Sequence, residues 1–180
     1  LSKVLENKEL SDLVTALGCG FGKTFDLSQL RYDRVIILAD ADADGNHIAT
    51  LLLTFLYRYL PQLISGGKVF LAQPPLYRID AGKQTHWALD DTQLAALLAD
   101  IKRNSGKVKP EVTRFKGLGE MMPKILWETT LNPETRRLLR VAIADKIKTD
   151  TAINDLMGRD ASARFRFIMD RAEEAEGLDV

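Results

Sequence analysis

Three aspartates at alternate positions are the feature that most constrains this chain. Asp40, Asp42 and Asp44 stand in LADADADGNH, directly after the apolar run at 35–38. Residues two apart in an extended backbone point the same way, so the three carboxylates are expected to emerge together at the end of a buried strand. Like charges about 4 Å apart repel by roughly 1 kcal/mol in water and about 4 kcal/mol at an effective dielectric of 20.

Such a cluster is usually neutralised by a hard cation or by a raised pKa. The Gly at position 45 and the strand before the acids favour a divalent-metal site. The competing interpretation is a solvated turn whose carboxylates only cap the next helix.

Composition limits the class of protein. A chain of 180 residues has room for one large domain or two small ones. Lys+Arg and Asp+Glu are both 25, so any basic surface for a nucleic acid must come from local clustering. The single cysteine, Cys19, excludes an internal disulfide and suits a reducing cytosol, so we expect a cytoplasmic protein. The apolar stretch 48–64 contains Arg58 and Pro61 and is too short to span a membrane, so no membrane partner is expected.

The order of the elements predicts an α/β fold. An apolar strand at 34–40, a helix from His47 to about Ser65 with Asn46 as its cap, and a strand at 69–73 form a βαβ unit. A helix at 7–17 precedes it, with Asn7 as cap. The elements predicted after it are a hairpin of strands 77–79 and 85–89, a helix at 92–103, a strand at 112–115, a helix at 120–129, a strand at 137–143 and a helical tail over 150–176 broken near Gly158.

The chemistry expected of the aspartates follows from their place. Ligand sites in open α/β sheets lie at the carboxyl ends of the strands, and a free helix N-terminus favours phosphate. Together these predict Mg²⁺ chemistry on a phosphate ester or phosphodiester. An EF-hand calcium loop needs a Glu at its twelfth position, where Leu51 stands. An aspartate-nucleophile phosphatase, with Asp42 attacking and Asp44 as acid and base, stays an alternative, although Asn46 departs from that pattern.

A second candidate site is the segment Arg114-Phe115-Lys116-Gly117-Leu118-Gly119. Two cations alternate around an aromatic residue, and glycines follow that permit close backbone approach. Such a loop could contact a nucleic-acid backbone, where Lys and Arg supply affinity rather than sequence choice. An ordinary turn with solvated cations is the alternative. His47 could also donate to a phosphate or pair with Asp44, or simply stand at a helix start.

Long stretches of the chain resemble the B subunit of bacterial type IIA DNA topoisomerases, that is DNA gyrase and topoisomerase IV. The stretches are RYDRVIILADADADGNHIATLLLTFLYRYLPQLI, GKVFLAQPPLYRI and RFKGLGEMMPKILWETTLNPETRRLLRV, in the family's order. The opening segment from Asn7 and the final Leu178-Asp179-Val180 are also similar to the family, so the resemblance spans essentially the whole chain.

The resemblance implies a Toprim domain over residues 1–80, a parallel sheet flanked by helices, followed by a C-terminal α+β tail region over 81–180. It implies that Asp40 and Asp42 bind Mg²⁺ with Asp44 in support, and that Arg114 and Lys116 lie near DNA. The implied partners are DNA and the A subunit, which supplies the attacking tyrosine, in a heterotetramer of two A and two B subunits. The implied activity is ATP-dependent cleavage and religation of DNA.

The departures from the family pattern matter too. The family's catalytic Glu lies in an EGDSA-type motif on an earlier strand, and this sequence has no such motif. It also has no candidate ATP site, so ATP would belong only to the full-length subunit. The absence of Met at position 1 suggests a fragment or a processed product, inactive on its own. A non-catalytic module that docks the A subunit therefore stays an alternative, and gyrase is not separated from topoisomerase IV.

Overall fold

The computed structural model describes residues 2–104 and 108–174. Outside the described residues lie 105–107, the last two residues of the predicted helical tail (175–176), and the C-terminal residues 178–180 that resemble the family. The fold is mixed α/β, as predicted, and it contains two small sheets with helices packed on them.

The first sheet contains the predicted βαβ unit. Strand β1 (Val35–Ile37) pairs in parallel with β2 (Val69–Ala72), and α3 (Ala43–Tyr59) and α4 (Pro61–Ser65) connect them. Strand β6 (Leu138–Arg140) joins the other side of β2 in antiparallel register, with Leu139 opposite Leu71. The sequence did not predict this last pairing, because nothing in the local pattern says which strand a distant strand will join.

The single predicted helix between β1 and β2 is in fact two helices. Pro61 has no backbone N–H and clashes with the preceding turn inside a helix, so α3 ends at Tyr59 and Pro61 starts α4. Within the described residues, no helix has the length and apolar character needed to cross a membrane.

The core of this half lies between the sheet and its helices. Leu56, Leu60, Leu63 and Val69 are fully buried there, together with the free thiol of Cys19. The N-terminal helices α1 (Ser2–Leu5) and α2 (Lys8–Leu17) precede it, and α2 begins as predicted, with Asn7 accepting a hydrogen bond from the Leu10 amide. Gly18 ends α2 in the left-handed conformation.

The second sheet contains the predicted hairpin, β3 (Tyr77–Ala81) and β4 (Gln84–Ala88), with β5 (Glu111–Arg114) on the other edge of β3. Helix α5 (Asp91–Asn104) packs on this sheet around the buried side chains of Tyr77, Ile79, Ala88 and Ile101.

The remaining chain forms a short α6 (Pro123–Leu126) that continues as a π-helical turn over Trp127–Leu131, then β6, α7 (Lys146–Met157) and α8 (Ala161–Asp170). The helix predicted at 120–129 therefore starts later, at Pro123, a residue that favours the first helical position. The helical tail breaks at Gly158, as predicted. Strands β1 and β2 lie before the predicted domain boundary at residue 80, whereas β6 of the same sheet lies after it. That boundary stays a prediction.

Candidate metal and nucleic-acid site

The acidic segment is only partly extended. Asp42 has extended backbone angles, and its Oδ1 accepts a 2.7 Å hydrogen bond from the Gly45 amide, so Asp42 is the N-cap of α3. The helix thus begins at Ala43, earlier than the sequence predicted, and the cap is not Asn46. Asp44 lies in the first helical turn. The expectation that all three carboxylates alternate along one extended strand is therefore wrong, because residues after Asp42 follow the helical period.

Gly45 allows the start of α3 to pack directly on the end of β1. It is buried, and a Cβ atom at this position would lie 2.2 Å from the carbonyl oxygen of Asp40. No side chain fits so close to a backbone atom. The glycine in ADADG thus fixes how Asp40 and the helix start lie against each other.

The most informative contact joins the two candidate sites. The backbone amide of Leu118 donates a 2.8 Å hydrogen bond to Oδ1 of Asp40, although the residues are 78 positions apart. Gly117 lies against the same carboxylate. The acidic loop after β1 and the glycine-rich loop after β5 therefore form one surface. From the sequence alone they are two separate candidate sites.

Two exposed cations precede the residues that contact Asp40. Arg114 is the last residue of β5, and Lys116 follows the buried Phe115. The Phe115 ring stacks on Trp87 of the hairpin, with ring centroids 6.4 Å apart. This packing holds the loop by its aromatic residue, while the side chains of Arg114 and Lys116 are exposed.

Glu120 has a different role from the predicted one. We expected it to stand at the start of a helix, but it ends a tight turn over Leu118–Glu120. Its Oε2 accepts a 2.8 Å hydrogen bond from the Lys116 amide, which closes the loop on itself. Neither this contact nor the hydrogen bond from the Leu118 amide to Asp40 is predicted from the sequence. The local spacing of Lys116 and Glu120 could have suggested the first, but no pattern in a single sequence indicates the second.

The donor set suits Mg²⁺ only in part. Asp40, Asp42 and Asp44 are all exposed, and in the described residues no hydrogen bond reaches Oδ2 of Asp40 or of Asp42. Two carboxylates with free oxygens fit Mg²⁺, which often takes one or two carboxylates and keeps several waters. Over residues 2–104 and 108–174, however, no three His, Cys, Asp or Glu side chains come together closely enough to hold an ion. His47 is exposed in the first turns of α3 and joins no such group.

Comparison with known proteins finds two family models that match this chain. The family model described as "Toprim domain" matches residues 2–74, and the one described as "DNA gyrase B subunit, carboxyl terminus" matches residues 107–169. The acidic loop falls in the first match and the glycine-rich loop in the second. The chain belongs to the family of type IIA topoisomerase B subunits.

Individual relatives of this chain carry both names of the family. The chain is 46% identical over 180 residues to a protein named as the B subunit of DNA gyrase from Archaeoglobus fulgidus, and 48% identical over 180 residues to one of the same name from Treponema pallidum; each match covers 100% of the chain and 28% of the relative. It is 45% identical over 172 residues to a protein named as the B subunit of DNA topoisomerase 4 from Rickettsia bellii, covering 96% of the chain and 26% of that relative. The chain thus spans little more than a quarter of the length of these relatives.

Proposed function

We propose that this chain forms the Mg²⁺-binding and DNA-binding part of a type IIA topoisomerase B subunit. It would act in double-strand cleavage and religation together with an A subunit that supplies the tyrosine. The observation that carries the proposal is the Leu118–Asp40 hydrogen bond, because it unites carboxylates suited to Mg²⁺ with cations suited to a phosphate backbone.

Asp40 and Asp42 would hold the ion through the carboxylate oxygens that no described residue engages, with Asp44 in support from the first turn of α3. Two such ligands make an incomplete site, so the family's catalytic Glu, absent from this sequence, would complete it. Bound Mg²⁺ would stabilise the negative charge that develops as the tyrosine attacks a DNA phosphate.

The chain's own residues would position the DNA. Arg114 and Lys116 are exposed, a few residues before the Leu118 amide that contacts Asp40, and would pair with backbone phosphates. His47 could donate to a third phosphate from the start of α3. These contacts carry no base information, so they would supply affinity and register rather than sequence choice. ATP hydrolysis would belong to other parts of the full-length subunit.

The direct test is a titration of the 180-residue chain with MgCl₂, followed by NMR of the backbone amides. We expect the resonances of Asp40 and Asp42 to move, and we expect the movement to disappear in Asp40→Ala. Asp12→Ala is a matched control, because Asp12 is an exposed aspartate on α2, outside the site. No Mg²⁺ response at Asp40 or Asp42 would argue against the proposal.

A second test places the same variants in a full-length B polypeptide that contains this sequence, assembled with its A subunit. Asp40→Ala should abolish Mg²⁺-dependent DNA cleavage while ATP binding survives. Cleavage at the normal level by this variant would refute the assignment of Asp40.

One observation favours a second candidate, an assembly module that docks the A subunit without binding metal. The described residues contain no group of three metal-ligating side chains. Under this alternative, Asp40 and Asp42 serve only as hydrogen-bond acceptors for the loop and the helix start. The MgCl₂ titration separates the two hypotheses, because only the first expects a response that depends on Asp40.

A further inference from the structure

We propose that Gly117 and the backbone amide of Leu118 are positioning elements for the Asp40 carboxylate. In this inference, which rests on the proposed function, the loop after β5 fixes the carboxylate through Oδ1 and leaves Oδ2 to serve as a ligand. The loop would thereby set the Mg²⁺ affinity of a residue that lies 78 positions earlier in the chain.

Position 117 is a glycine that lies against the Asp40 carboxylate. Its φ of −150° and ψ of 166° are ordinary extended angles that any residue adopts, so backbone freedom does not require glycine here. The space beside it is tight, however. A Cβ atom at position 117 would lie 3.2 Å from Oδ2, 3.3 Å from Cγ and 3.4 Å from Oδ1 of Asp40. A methyl group there would make the carboxylate or the loop shift by a few tenths of an ångström.

In this close contact, the Asp40 side chain can move more easily than the loop around Gly117. The loop is held on both sides of Gly117, because the Lys116 amide donates to Glu120 and the Met121 amide donates a 3.1 Å hydrogen bond to the Leu118 carbonyl. Phe115 and Met121 are buried at its two ends. The Asp40 side chain is exposed, by contrast, and its rotation breaks only one hydrogen bond in the described structure. We therefore expect Gly117→Ala to turn the carboxylate and leave the fold intact.

The size of the effect follows from what outer partners do at metal sites. Groups that orient a ligand by hydrogen bonds typically change metal affinity about 10- to 100-fold when they are altered. A carboxylate turned away from its set orientation loses the advantage of being prearranged for the ion. We expect Gly117→Ala to weaken Mg²⁺ binding by about tenfold or more.

The chain offers a closely matched control. Gly119 lies two residues further along the same loop, and a Cβ atom there would meet nothing within 4 Å. Its φ is not positive, so alanine is not strained at this position. Gly119→Ala therefore makes the same chemical change in the same loop without touching Asp40, and it should keep the wild-type Mg²⁺ affinity.

The experiment measures Mg²⁺ dissociation constants of the wild-type 180-residue chain, Gly117→Ala and Gly119→Ala by NMR titration with MgCl₂, with thermal melting of each. The expected result is weaker binding by Gly117→Ala alone, with similar melting of all three. Equal affinities for the two variants, with normal wild-type binding, would overturn this inference and leave the proposed function standing. No wild-type response at Asp40 would overturn both.

A second measurement decides the matter if Gly117→Ala fails to fold. In the wild-type chain, the Leu118 amide resonance should move as MgCl₂ is added, because its hydrogen-bond acceptor becomes a metal ligand. It should also differ between wild type and a well-folded Asp40→Asn variant without metal. The positioning role would be contradicted if the Leu118 amide resonance did not move with added MgCl₂ while the Asp40 resonance did.

Discussion

The hydroxyl of Tyr77 donates a 2.5 Å hydrogen bond to Asp91, which ties the first strand of the hairpin to the start of α5. This bond, the burial of the ring and the negative charge of Asp91 raise the pKa of Tyr77, against a small opposing effect of Arg114. Tyr57 is similar: partial burial and its 2.9 Å hydrogen bond to Asp150 of α7 raise its pKa. Both tyrosines bind their protons more tightly in the folded chain.

We expect the chain to lose stability in alkali. A tyrosine whose pKa is raised in the folded chain contributes its full stabilisation of the fold at a pH below the ordinary tyrosine pKa of about 10. This contribution disappears as the pH rises through the higher pKa of the folded state. Tyr77→Phe should be less stable than wild type at neutral pH, because the bond to Asp91 is lost, but its stability should fall less steeply in alkali. Urea unfolding midpoints between about pH 8 and about pH 11 would measure this.

Tyr32→Phe is the control for the alkaline profile, because Tyr32 is 54% exposed. It should follow the wild-type profile. Parallel profiles for Tyr77→Phe and wild type would contradict the prediction, and adding Tyr57→Phe to Tyr77→Phe should flatten the decline further.

Substitutions of Asp42 should separate its two roles. Asp42→Asn keeps an oxygen for the Gly45 amide, so it should retain the helix cap and the stability, but it removes the charge that would attract Mg²⁺. Asp42→Ala removes both and should cost about 1 kcal/mol of unfolding free energy. Calorimetric Mg²⁺ titration and urea unfolding test the pair. Wild-type Mg²⁺ affinity in Asp42→Asn would mean that Asp42 only caps the helix.

Gly45→Ala should reverse the usual effect of alanine in a helix. Replacing glycine by alanine inside a helix normally stabilises by roughly 0.5–1 kcal/mol. Here the new Cβ would lie 2.2 Å from the Asp40 carbonyl oxygen, so the helix start must shift and we expect a loss of about 1–3 kcal/mol. Urea unfolding would show it, with Gly119→Ala unchanged beside it. A gain of stability in Gly45→Ala would show that α3 does not pack on Asp40 in this way.

Lys116→Gln should weaken DNA binding and its dependence on salt. A lysine that pairs with one phosphate contributes about 0.9 to the slope of log affinity against log salt concentration, so the slope should fall by about that amount. Fluorescence anisotropy of a short duplex at several salt concentrations measures it. Lys83→Gln, in the exposed hairpin turn, is the matched control and should leave the slope unchanged. Equal slopes for both variants would remove Lys116 from the DNA surface.

Local patterns predicted the elements well where local interactions decide them. The βαβ unit, the hairpin and the cap at Asn7 follow from apolar periodicity, turn residues and a side chain that reaches its own helix. Prediction failed at the start of α3. Asp42 and Asn46 are both residue types that cap helices well. The helix starts after Asp42 because Gly45 packs closely against Asp40, a contact that the local sequence does not predict.

The sequence by itself determined which residues are proposed to bind an ion and a phosphate backbone. Asp40, Asp42, Arg114 and Lys116 have the charges and spacing for an ion and a phosphate backbone, and those properties are local. Only the tertiary structure decided that the acidic loop meets the loop that follows these cations, through the Leu118 amide and the close approach of Gly117 to Asp40. The physical reason is that a backbone amide and a missing side chain carry no sequence signal of their partner, so contacts across 78 positions appear only when the sheets are packed.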